Sequence, residues 1–136
     1  MEYFSLSGSQ KNIISLEKVF PGTSVSNICA TIHMEGDVDY ELLQESIHLV
    51  LQKDKTLHIR LLEKDRELVQ YYAEYRKEEF SIYDFSHASK EGFETWEKSE
   101  AEQPFSIDGS LYRFKLFRRG EGRGGFLMKL HHLIGD

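Results

Sequence analysis

The sequence predicts a two-layer α/β sandwich built on a mixed, largely antiparallel sheet, and three observations carry that expectation. Short runs in which apolar and polar residues alternate recur along the chain, the period of a half-buried strand. Between them lie stretches whose apolar residues fall three and four apart behind a capping residue, the mark of an amphipathic helix. Several strand-like runs are joined by links too short for a crossover helix, which makes them antiparallel hairpins. The 136 residues amount to one small domain. With 40% hydrophobic and 12% aromatic residues the chain can build a core and does not read as disordered.

In order, Ser7 or Ser9 caps a first helix carrying Ile13, Ile14, Leu16, Val19 and Phe20, and Pro21-Gly22 ends it. Ile28, Ala30, Ile32 and Met34 alternate with Cys29, Thr31, His33 and Glu35 as a strand. Gly36-Asp37 turns the chain and Asp39 caps a second helix, where Leu43, Ile47, Val50 and Leu51 form the apolar stripe. His48 falls off that stripe and is expected in solvent. Leu57, Ile59 and Leu61 alternate with His58 and Arg60, and the charged run Glu63–Glu67 turns this strand into a partner from Leu68 to Tyr75.

Phe80–Ser86 is a further short strand. Ser89 caps a third helix with Phe93 and Trp96, closed by Pro104. Its acids Glu91, Glu94, Glu97 and Glu100 are expected on a solvated face and not around a cation. Leu111–Phe117 and Gly125–Leu130 are strands joined by the glycine-rich basic link Arg118–Gly124. That link has no GK[ST] and no helix after it, so it reads as a flexible hairpin loop and not as a phosphate cradle.

Charge and composition exclude several functions. A net charge of −6 gives no general attraction to nucleic acid. No apolar run approaches the length that spans a bilayer, and Met1–Ser5 lacks the basic and apolar regions of a secretory leader. The lone Cys29 fits a reducing compartment, so a cytoplasmic location is expected.

The chemistry gathers at the end of the chain, in His131-His132-Leu133-Ile134-Gly135-Asp136. A neutral imidazole takes up a proton near physiological pH, and a nearby carboxylate can fix the geometry around it. By itself HxxxD is a weak pattern, and two ordinary histidines at a strand end beside a surface Asp account for it equally well. Adjacent residues on a strand point to opposite faces, which disfavours His131 and His132 as a metal-chelating pair.

Four stretches together resemble one family. The terminal six residues are similar to the HHxxxDG signature of nonribosomal peptide synthetase condensation domains, relatives of chloramphenicol acetyltransferase-like acyltransferases. Leu6-Ser7-Gly8-Ser9-Gln10-Lys11 resembles the opening S-x-A-Q-x-R motif, with Ser9 where alanine is usual. Pro104–Arg113 resembles P-F-D-L-x-x-G-P-L-x-R, and Tyr83-Asp84-Phe85-Ser86 the strand and turn before it. The family's R-H-E-x-L-R-T-x-F stretch maps onto Lys53–Leu61, where His58 takes the place of the arginine that pairs with the signature aspartate. Arg60, two residues on, is the expected substitute on the same strand face.

The resemblance implies residues 1–136 as the N-terminal half of a condensation domain, a chloramphenicol acetyltransferase-like half-domain cut just after its signature. It further implies amide-bond formation between a carrier-bound acyl or peptidyl thioester and a carrier-bound aminoacyl acceptor. His132 would be catalytic, with His131, Asp136, Arg60 and His58 as structural support. No cofactor or metal is bound directly, since the substrates ride on phosphopantetheine arms. The implied partners are carrier domains, a C-terminal half-domain and an adenylation domain, without nucleic acid or membrane. The isolated half, inactive alone, is expected to self-associate through its uncovered face. An epimerisation domain, a starter condensation domain, a coenzyme A-dependent acyltransferase and a non-catalytic partner-recruitment module remain as alternatives.

Overall fold

The computed structural model describes residues 1–135, and Asp136 lies outside the described residues. The element order is β1 (Phe4–Ser5), α1 (Gly8–Val19), β2 (Asn27–Glu35), α2 (Tyr40–Lys53), a 3₁₀ turn (Lys55–His58), β3 (Ile59–Lys64), β4 (Glu67–Tyr72), β5 (Ile82–Asp84), α3 (Lys90–Glu102), β6 (Tyr112–Gly120) and β7 (Arg123–His131). The strands form two sheets. A four-stranded sheet runs β2-β7-β6-β5 and a three-stranded one β1-β4-β3. The larger sheet is mixed: β5 lies parallel to β6, while β6–β7 and β2–β7 are antiparallel.

The helix starts follow from local chemistry. Ser7 accepts from the Gln10 amide while the Gln10 side chain accepts from the Ser7 amide, a reciprocal capping box. Asp39 and Ser89 cap α2 and α3 through the amides of Leu42 and Gly92. The hairpin turns are tight. Asp65 and Arg66 both adopt left-handed backbone angles between β3 and β4, as a two-residue hairpin turn requires.

The two faces of the larger sheet carry different layers. Odd-numbered residues of β2, β6 and β7 face α3: Phe117 meets Phe93 and Trp96, Thr31 donates to Glu97, and Lys115 pairs with Glu100 at 2.5 Å. The even-numbered face, with Leu116 buried and Tyr112, Phe114, Phe126 and Leu130 half-buried, joins a core that includes Ile14, Ile47, Leu51, Leu57 and Leu61. Burying these side chains away from water is the main favourable term in holding helices and sheets together.

Several expectations need correction. His48 is not solvated: it is 7% exposed, stacks on Phe80 at 4.7 Å, and its Nδ1 lies 2.6 Å from the Tyr75 hydroxyl. Val50, assigned to the buried stripe, is 56% exposed, because the face of α2 turned inward is Tyr40, Ile47, His48 and Leu51. Leu57 and His58 belong to the 3₁₀ turn, where the Asp54 side chain accepts from the Thr56 amide, and the strand begins only at Ile59. The link Arg118–Gly124 is not a flexible loop. Strands β6 and β7 run through it to a two-residue turn at Glu121-Gly122. Glu97 and Glu100 leave the solvated face of α3 to meet Thr31 and Lys115.

Candidate active site

Strand β7 delivers the two histidines to opposite environments. Its inward alternation places His131 in the interior, 1% exposed, and the chain then turns so that His132 lies exposed. Three backbone hydrogen bonds fix that turn: His131 N–H to Leu111 O at 2.8 Å, His132 N–H to Ser26 O at 2.8 Å, and Ile134 N–H to His131 O at 3.0 Å. The next two side chains, Leu133 and Ile134, are both 6% exposed and plug into the core. His132 is thus an exposed imidazole on a backbone held from both sides. Such an arrangement suits proton transfer, because a base must stand at fixed reach from the proton it takes.

The interior around His131 is polar as well as packed. Its Nε2 meets the Glu17 carboxylate from α1, and its Nδ1 accepts from the Leu133 amide at 3.0 Å. Phe105, just after α3, lies 6.0 Å away ring to ring. One residue pair further along, Lys129 is fully buried and donates to Glu100 O at 2.9 Å and Gln103 O at 2.8 Å. Asn27, paired in register with His131, donates to Ala101 O and Gln103 O. Two side chains of adjacent strands therefore satisfy carbonyls that the end of α3 leaves without helical partners. Burial pushes the Lys129 ammonium below its ordinary range, helped by the Arg113 charge and opposed by Glu100.

His58 and Arg60 lie apart from each other in role. The His58 ring stacks on Tyr75 at 5.9 Å and donates from Nε2 to Leu51 O at 2.5 Å, fastening the 3₁₀ turn to the end of α2. His58 ends that turn and Arg60 follows two residues on in β3, so the pair spans the junction of turn and strand. Arg60 is half-buried, donates from one guanidinium nitrogen to Leu57 O and Ile59 O, and lies over the Tyr112 ring at 5.6 Å. The expected ion pair between Arg60 and Asp136 lies outside the described residues. Among the described residues no group of three or more His, Cys, Asp or Glu is placed to hold a metal ion. None of their helices is long and apolar enough to cross a membrane.

Sequence reasoning missed Glu17, Ser26 and the paired caps Asn27 and Lys129. Glu17 is 114 residues from His131 and has no local pattern that announces the contact. Lys129 had a weak signal, since a lysine at an inward position of an apolar strand needs acceptors.

A model described as a condensation domain matches residues 2–136. Surfactin synthase subunit 1 of Bacillus subtilis (strain 168) is 30% identical over 140 residues, covering 98% of this chain and 4% of that protein. Tyrocidine synthase 3 of Brevibacillus parabrevis is 26% identical over 136 residues, covering 99% of this chain and 2% of that protein. The chain spans only a few per cent of the length of these relatives. The fold matches the starter condensation domain of rhizomide synthetase RzmA with a TM-score of 0.88 at 18% identity, over 98% of this chain and 34% of that one. The first condensation domain of the CDA synthetase gives 0.81 at 17% identity, over 96% and 36%. With its model matched from residue 2 to the chain's last residue, and with the histidine turn at the end of β7, the chain belongs to the condensation-domain family.

Proposed function

We propose that this chain is the N-terminal half of a nonribosomal peptide synthetase condensation domain and that it supplies the acid/base group of amide-bond formation. The observation that carries the reading is the split of the histidine pair: His131 is buried and bonded, whereas His132 is exposed on a pinned turn. In the reaction the amine of a carrier-bound aminoacyl acceptor attacks the carbonyl carbon of a carrier-bound acyl or peptidyl thioester. A C–N bond forms, the C–S bond breaks, and the proton lost by the amine ends on the departing phosphopantetheine thiol. His132 takes that proton, or holds the amine and the tetrahedral intermediate by hydrogen bonding. His131, His58 and Arg60 support the turn and the neighbouring elements, with Arg60 as the partner of the Asp136 carboxylate. A guanidinium suits that role because it stays charged and can bind a carboxylate with two nitrogens.

The partners on this reading are donor and acceptor carrier domains, an adenylation domain and a C-terminal half-domain forming the other wall of the site. The half-domain alone is inactive, and the cytoplasm is the compartment that suits the free Cys29. The test is reconstitution of the complete domain with a carrier-bound acyl donor and a carrier-bound aminoacyl acceptor, with products read by mass spectrometry. The amide on the acceptor carrier is the expected product. An epimerised but uncondensed aminoacyl thioester, or amide formation from coenzyme A alone, would replace the proposal.

A further inference from the structure

We infer that Glu17 is a positioning residue for the active-site turn, acting through the tautomer of His131. Its catalytic consequence rests on the role proposed for His132, while its structural consequence does not.

Nδ1 of His131 lies 3.0 Å from the Leu133 amide nitrogen, which can only donate. Nδ1 must therefore present its lone pair, and the hydrogen of the ring sits on Nε2. There the Glu17 carboxylate accepts it. A ring with hydrogen on both nitrogens would set two donors against each other at Nδ1. The contact is thus an imidazole-to-carboxylate hydrogen bond that selects one tautomer, as the partner of one ring nitrogen generally decides the state of the other.

That selection reaches the exposed histidine in one step. His131 is 1% exposed, so without Glu17 its Nε2–H would be left with little water to bond. Moving the hydrogen to Nδ1 would relieve Nε2 and take the acceptor from the Leu133 amide. The Leu133 and Ile134 side chains are the plugs that anchor the turn, and His132 is carried between them and β7. Glu17 stands on α1, and its side chain is 31% exposed. Its carboxylate meets His131 and not the exposed His132 ring, which makes it a positioning residue and not a catalytic one.

The experiment reads the tautomer directly, by long-range proton–nitrogen correlation in the full chain labelled with ¹⁵N-histidine. Glu17→Met removes the acceptor at similar length, and His131 is expected to shift from Nε2–H alone to a mixture. Glu17→Gln keeps an acceptor oxygen and is expected to retain Nε2–H alone. An unchanged tautomer in Glu17→Met overturns the inference, as does a Glu17→Gln ring perturbed like that of Glu17→Met. Should the Met variant not fold, the Gln variant still decides, because it must hold the hydrogen on Nε2. In the complete domain Glu17→Met is expected to lower kcat for amide formation by about 10-fold to 100-fold, since small misplacements of a reacting group carry losses of that order. KM stays within about two-fold, and Glu17→Gln recovers most of the rate. A fully active His132→Ala domain would remove the proposed function and leave the tautomer result to stand or fall by itself.

Discussion

Replacing Gly125 by alanine is expected to destabilise the fold far more than the same change at Gly122, three residues earlier on the hairpin. Gly125 has φ +152°, and a Cβ built on it would lie 1.9 Å from the carbonyl oxygen of Ile32 on β2 and 3.2 Å from the Phe117 ring. A contact with backbone cannot be relieved by a rotamer change. Strand β2 would have to retreat by roughly an ångström, stretching its ladder to β7. The unfavourable backbone angle costs about 1–3 kcal/mol. Losing one or two ladder hydrogen bonds adds about 1 kcal/mol each, for a total of about 2–5 kcal/mol. Gly122, at φ +68° in the turn, has nothing within 4 Å of such a Cβ. Its alanine variant bears the conformational term alone, about 1–2 kcal/mol. Urea denaturation of both variants, followed by circular dichroism and compared at equal m-value, measures the difference. Equal losses at the two positions, or a loss below about 2 kcal/mol at Gly125, would refute the close approach of β2 to β7.

Other consequences can be checked in the same way. Burial raises the Tyr40 hydroxyl above its ordinary range while that group donates to Phe117 O at 2.6 Å. Its contribution is present below about pH 10, the unfolded value, and is lost as the pH rises through the higher folded value. Tyr40→Phe is therefore expected to flatten the alkaline fall in stability, and an identical slope in wild type and variant would contradict it. Asn27→Ala and Lys129→Met are each expected to cost about 1–3 kcal/mol by freeing carbonyls at the end of α3. Both donate to Gln103 O, so their double mutant should depart from additivity, and strict additivity in thermal melts would deny the shared acceptor. Leu16, Val19, Phe20 and Val25 are exposed on α1 and just after it, and Leu42, Leu49 and Val50 are exposed along α2. Such faces favour association, so light scattering should show a dimer or larger species of the chain at high concentration, with a monomer at every concentration as the contrary result.

What could be read from the sequence was whatever depends on near neighbours. Ser7, Asp39 and Ser89 cap helices because a short side-chain oxygen reaches an amide three residues on, and that chemistry is complete within four residues. Alternation placed β2, β6 and β7 for the same reason. Most of the failures involve a partner from elsewhere in the chain. His48 looked solvated because only apolar residues defined the stripe of α2, whereas Tyr75 and Phe80 arrive to bury it. The link Arg118–Gly124 looked flexible because glycine is a loop residue, whereas the Gly124-Gly125 pair is what lets β7 come close to its neighbours. The division into two sheets could not be seen, since no local pattern says that the β3–β4 hairpin pairs with Phe4-Ser5 and not with the strands of the larger sheet. At the site the motif named the histidines, but neither Glu17 nor the Leu133–Ile134 anchor could be read from spacing.

On the proposed function His132 does the acid/base work while the rest of the turn holds it in place. The most direct measurement is the rate of amide formation by the complete domain carrying His132→Ala, with near-ultraviolet circular dichroism confirming an unchanged fold. The ring is exposed and the residue's hydrogen bond to Ser26 runs through its backbone N–H, so truncation should leave stability intact. The rate is expected to fall by about 10²–10⁴-fold, the usual contribution of a positioned acid/base group. A folded variant forming amide at the wild-type rate would contradict the account.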